Sequence, residues 1–113
     1  MRLRTVAFGL IVAAALSACA PKIVPAPVVS TPTYPDFLRP TVPATLAGTK
    51  AAVLYDRSWR FLQAGDLKMA DREAAAALQA SPAFFPAETA AGYIALARNE
   101  PKAALTRFDR SLE

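Results

Sequence analysis

Apolar positions along the chain fall into three regimes. From Thr5 to Leu16 every residue is apolar or small, and none is charged. Between Ala20 and Pro43, prolines stand at 21, 25, 27, 32, 35, 40 and 43, and no helical period is present. From Thr49 onward, apolar residues recur every three or four positions, the spacing of one helix face. Thr49 is a suitable N-cap for a first helix. Leu54, Ser58 and Phe61 share a face of it, and Gly65 suits a left-handed end. Asp66 can cap a second helix with the stripe Leu67, Ala70, Ala74, Ala77 and Leu78, closed by Pro82. A third helix begins near Phe85 or Pro86, where proline is tolerated, and carries Ala91, Gly92, Ala95 and Leu96. Asn99 and Pro101 make the next turn, before a fourth stripe of Ala104, Leu105, Phe108 and Leu112. Helices this short are marginal alone, so packing must hold them.

The pattern repeats. Ala70 and Ala104 lie 34 residues apart, as do Ala74 and Phe108, Leu78 and Leu112, Gly65 and Asn99, and Ser58 and Gly92. A fixed period of about 34 with a helix–turn–helix in each unit marks a repeat architecture. The small residues let two helix axes approach closely.

These residues resemble tetratricopeptide repeats. Leu54, Ser58, Phe61, Gly65, Ala70, Ala74, Ala77 and Pro82 fall on the signature places of a first repeat, residues 51–84. Gly92, Ala95, Asn99, Ala104, Phe108 and Ser111 fall on those of a second, residues 85–113. Arg57, Glu88 and Ala95 depart from the family pattern, which puts a large apolar or aromatic residue at each place. The resemblance implies an all-α fold: two helix–turn–helix hairpins, a right-handed α-solenoid fragment, over residues 48–113. It also implies a groove lined by the first helix of each repeat, which binds a peptide or helix of a partner protein. Carried over by place, the groove residues are Tyr55, Asp56, Trp59, Leu62 and Gln63, then Thr89, Ala90, Tyr93, Leu96 and Ala97. Tyr55 and Trp59 are one helical step of four apart, and Tyr93 matches Trp59 at the repeat spacing. Their polar-tipped rings suit an interaction surface. Two uses stay open: a partner binds there, or the rings pack on the proline-rich arm or a further helix. Another class of α-hairpin array is the alternative fold.

The N-terminal regimes read as an address and a tether. A basic opening, Met1-Arg2-Leu3-Arg4, precedes an apolar run too short to span a bilayer, which needs about 20 residues, and fits a signal peptide over residues 1–18. Leu16-Ser17-Ala18-Cys19 resembles the bacterial lipobox. That resemblance implies lipidation of Cys19, cleavage before it and membrane anchoring; Ala20 after the cysteine favours the outer membrane, with the protein facing the periplasm. A plain secretory leader is the alternative. Residues 19–47 then form a proline-rich, disordered linker of extended polyproline character. At about 3.1 Å per residue it would hold the folded part tens of ångströms from the bilayer. Its segment Tyr34-Pro35-Asp36-Phe37-Leu38-Arg39-Pro40 is aromatic in a way linkers are not, so it is expected to dock on the helices, across their concave face.

Composition narrows the chemistry. In 113 residues there is no histidine and one cysteine, so no internal disulfide and no Cys/His metal cluster can form. No carboxylate pair, nucleophile–base pair or phosphate loop stands out, so neither an enzyme nor a cofactor is expected. The formal charge of +4 includes Arg2 and Arg4 of the leader, so it does not argue for nucleic acid. Arg57, Arg60, Lys68, Asp71 and Arg72 read as a solvated face. Glu113 falls about five residues short of a second full repeat. The outer side of the last helix, near Leu105, Phe108 and Leu112, is therefore expected to meet further repeats, a partner or a second copy edge to edge. The sequence thus points to a membrane-anchored scaffold for protein–protein interaction, or to the anchored N-terminal part of a larger protein.

Overall fold

The computed structural model describes residues 23–113; the leader and Cys19 lie outside them. Among the described residues the chain is all-helical and contains no strand. Its helices are α1 (Lys50–Gln63), α2 (Leu67–Ala80), α3 (Phe85–Ala97) and α4 (Pro101–Ser111).

Each helix starts and stops for a local reason. The Thr49 hydroxyl accepts the Ala52 N–H at 3.2 Å, and the Asp66 carboxylate accepts the Met69 N–H at 3.1 Å. Both satisfy donors that helix geometry leaves orphaned. α3 and α4 lack a side-chain cap and instead carry proline in the first turn, where its missing N–H costs nothing. α2 ends at Ala80 because Ser81, preceding Pro82, is extended (φ −148°, ψ 99°), as a residue before proline prefers.

The ends of α1 and α3 are built alike. Gly65 (φ 84°) and Asn99 (φ 60°) both take the left-handed conformation. The Gly65 N–H reaches the Leu62 carbonyl at 3.0 Å and the Asp66 N–H that of Phe61 at 2.9 Å. Thirty-four residues on, Asn99 bonds to Leu96 and Glu100 to Ala95, both at 2.9 Å. This is the Schellman pairing, which satisfies two terminal carbonyls of each helix.

Each helix packs on the next, and α1 also touches α3. Ala70, Ala74 and Ala77 of α2 and Ala104 of α4 are buried in the seams. Small residues face them. The Ser58 hydroxyl, fully buried, donates to the Ala70 carbonyl at 2.7 Å. At Gly92, an added Cβ would lie 2.5, 2.7 and 2.9 Å from three atoms of the Phe108 ring. Tyr55, Leu62, Phe84, Ala87, Ala90 and Ile94 fill the centre of the core. Arg57 and Glu88, which the sequence puts where apolar residues were expected, are each answered from the following helix. Arg57 pairs with Glu73 at 3.0 Å, and Glu88 with Arg107 at 3.2 Å. Both carboxylates are largely buried, so the charges are kept inside by pairing.

Residues 23–49 form no regular element. The part from Thr33 to Pro40 is nevertheless held against α1 and α3, running antiparallel to α1. Thr33 lies at the end of α1, Pro40 beside Tyr55, and the turn at Pro43–Leu46 leads into the Thr49 cap. The extended spacer anticipated over this stretch is thus part of the packed structure from Thr33 to Pro40, and Val24 and Ala26 of its first half also touch the helical part.

Candidate functional site

The surface shared by α1 and α3 carries a run of aromatic rings. Trp59 of α1 and Tyr93 of α3 meet edge to face, with centroids 5.7 Å apart and planes at 84°. Phe108 of α4 meets Tyr93 in the same manner at 5.2 Å. From the arm, Phe37 stacks on Tyr93 at 4.7 Å and Tyr34 stacks on Phe37 at 4.9 Å. Such offset and edge contacts contribute about 0.5–1.5 kcal/mol each beyond the area they bury.

Polar tips fix the arm's backbone around this row. The Gln63 amide acts as a clamp: its oxygen accepts the Tyr34 N–H, and its nitrogen donates to the Tyr34 carbonyl, both at 2.9 Å. The Gln63 carbonyl, orphaned at the end of α1, accepts the Thr33 N–H at 2.8 Å and the Thr33 hydroxyl at 2.7 Å. The Tyr93 hydroxyl accepts the Leu38 N–H at 3.3 Å, and the Tyr55 hydroxyl donates to the Pro40 carbonyl at 2.6 Å. Most of these bonds read backbone rather than side chain, on a segment that turns between Tyr34 and Phe37, where the Phe37 N–H reaches the Tyr34 carbonyl at 3.2 Å.

Charge adds direction. Arg39 pairs with Asp56 at 2.6 Å, and Arg60 holds the other Asp56 oxygen at 3.0 Å. These groups are about half exposed, so each pair contributes no more than about 1 kcal/mol. The Arg39 guanidinium also lies 5.5 Å from the Tyr55 ring centroid. Burial pushes the Tyr55 hydroxyl up to about 12, with the Arg39 charge acting in the opposite direction.

Of the residues expected in a groove, Tyr55, Asp56, Trp59, Gln63 and Tyr93 come together under the arm. Leu62 and Ala90 are buried in the core and face no groove. The Thr89 hydroxyl donates back to the Phe85 carbonyl of its own helix at 3.2 Å. Leu96 is exposed and Ala97 half-buried, and neither takes part in the hydrogen bonds or ring contacts of the arm. Sequence reasoning missed Phe108 as a member of the ring row and Thr33 as an anchor. The sequence reading sets Phe108 on the outer side of α4 with Leu105 and Leu112; it instead lies half-buried against Tyr93, a place that depends on the absent side chain at Gly92.

The arrangement consists of stacked and edge-on rings and of hydrogen bonds to the arm's backbone. No acid–base pair is aligned in it, and among the described residues no group of three His, Cys, Asp or Glu side chains converges. No helix of the described residues is long and apolar enough to cross a membrane. Comparison with family models, with curated proteins and with solved structures finds no match for this chain.

Proposed function

We propose that the chain is a protein–protein interaction scaffold of tetratricopeptide type, moored by a lipidated Cys19 in the bacterial envelope, on the periplasmic side of the outer membrane. Its α1–α3 face receives a peptide or helix of a partner protein. The observation that carries this reading is that the face already holds a non-helical segment, residues 33–40, largely through its backbone. The repeat reading draws support from the matched Schellman ends at Gly65 and Asn99 and from the small residues at Ser58 and Gly92. Mooring rests on Leu16-Ser17-Ala18-Cys19 alone. No catalysis or cofactor is assigned to these residues.

The test is binding in trans. A synthetic peptide of residues 31–43 is titrated against the full chain carrying Phe37→Ala and Arg39→Ala, which loosen the resident arm. Saturable binding that is lost on adding Gln63→Ala, with helicity kept, supports a peptide-receiving face. No binding at millimolar peptide refutes it.

A second reading concerns the far edge. Leu105 and Leu112 are 62% and 86% exposed, and Leu112 lines a cleft with Pro82 and Phe85. Cover by another helix, from a further repeat or a second copy, would remove this surface from water. A concentration-dependent mass in sedimentation, abolished by Leu105→Glu with Leu112→Glu, would identify self-association.

A further inference from the structure

The opposite side of α1 holds a second concavity. Lys50, Val53, Leu54 and Arg57 follow the i, i+3, i+4, i+7 spacing, so they share one face. That face is turned away from Tyr55, Trp59 and Gln63. With Met69 and Arg72 of α2, these side chains line a groove of about 500 Å³, within the range of small-ligand sites. Its floor is Val53, Leu54 and Met69, and Ile23 and Val24 add an apolar wall. Val53 is 56% exposed and Ile23 84%, an apolar area left in water.

The charges around this floor are unbalanced. Arg57 is committed: it pairs with Glu73 and donates to the Val24 carbonyl. That bond ties the arm's wall to the helices. Glu73 therefore neutralises Arg57, while Lys50 and Arg72 make no ion pair among the described residues. Lys50 begins α1, about 10 Å along its axis from Arg57 at 1.5 Å per residue. The groove thus combines an apolar trough about 10 Å long between Lys50 and Arg57 with two uncommitted cations. A partner helix about 10 Å across would need the full open face, part of which Val24 occupies. A single chain of methylenes has no such requirement.

We propose that this groove binds a single-chain anionic amphiphile, with its acyl chain along Val53, Leu54 and Met69 and its oxyanion head on Arg72 and Lys50. The site is separate from the arm-holding face and does not depend on that face receiving a partner.

The test is calorimetric titration of the full chain with dodecanoate below its micelle concentration. Acetate serves as the head-only control and dodecylphosphocholine as the control of zero net charge. The expected result is one saturable site for dodecanoate, none for acetate, and affinity for dodecylphosphocholine weaker by about tenfold or more. Arg72→Glu with Lys50→Glu should weaken dodecanoate by about tenfold while changing dodecylphosphocholine little. Val53→Asp should weaken both. These three side chains are exposed, and unchanged circular dichroism verifies the fold of each variant. Equal affinity for the two amphiphiles, dodecanoate binding that survives the double charge reversal, or binding of an acidic amphipathic peptide with none of either amphiphile would each overturn the proposal. Titration of the arm peptide is read separately, since Gln63→Ala acts on the other face.

Discussion

Gln63 and Tyr34 exchange two hydrogen bonds through one side-chain amide, at 2.9 Å each. Gln63 thereby pairs with the arm's backbone much as a neighbouring strand would. It is 7% exposed, so breaking the clamp leaves polar groups poorly solvated. Gln63→Ala should cost about 1–3 kcal/mol, two bonds at about 0.5–1.5 each. Urea denaturation measures the loss, and faster amide exchange confined to residues 34–38 would locate it. Unchanged exchange there would show that the rings alone hold the arm.

Gly92 has its space taken by Phe108. Gly92→Ala gains up to about 1 kcal/mol of helix propensity but drives a methyl into the ring, and overpacking typically costs about 1–3 kcal/mol. Net destabilisation is expected. In a Phe108→Ala background the same change should turn favourable. A double-mutant cycle with coupling below about 0.5 kcal/mol would contradict the contact.

The two left-handed positions should respond alike. At Gly65 an alanine meets only the Thr33 side chain at 3.5 Å, so its cost is conformational, about 1–2 kcal/mol. Asn99→Ala should lose part of that amount, since asparagine tolerates the conformation better, and Asn99→Gly should stabilise. Thermal melts of the three variants test whether the ends of α1 and α3 are equivalent in energy as well as geometry.

Tyr55 predicts a pH dependence. Its hydroxyl is raised to about 12 by burial, against about 10 in an unfolded chain. Between these values the unfolded state has lost the proton and the folded state keeps it. Stability is therefore complete below pH of about 10 and falls towards about 12, by at most about 1.4 kcal/mol per pH unit. Tyr55→Phe should remove this slope and the latest step in the 295 nm absorbance titration, the wavelength at which phenolates absorb. A slope that persists in the phenylalanine variant would assign it elsewhere.

Much of the helical part was legible because its signals are local. Thr49, Gly65, Asp66 and Pro82 each act within a few residues of themselves, and the helices begin and end at or beside them. The alanine stripe was equally readable, since a seam of small residues has one obvious use. The site was legible in part. Tyr55, Trp59, Gln63 and Tyr93 do gather on one surface, and the aromatic character of residues 34–40 marked the segment that lies on it. Leu62 and Ala90 differ, because their helix positions face inward. Charge pairing was hidden: nothing in sequence distance links Arg57 to Glu73 or Glu88 to Arg107 across a hairpin. The outer groove was hidden for the same reason, its floor being shared between α1 and α2.

The bond from Arg57 to the Val24 carbonyl also sets a length. With the chain fastened at Val24, only four residues, and so five residue steps, separate that point from Cys19. Fully stretched at about 3.3–3.6 Å each, they span less than about 20 Å. If Cys19 carries acyl chains, the helices ride close against the bilayer on a short leash, with the groove of Val53 and Arg72 on the side where the leash is fastened.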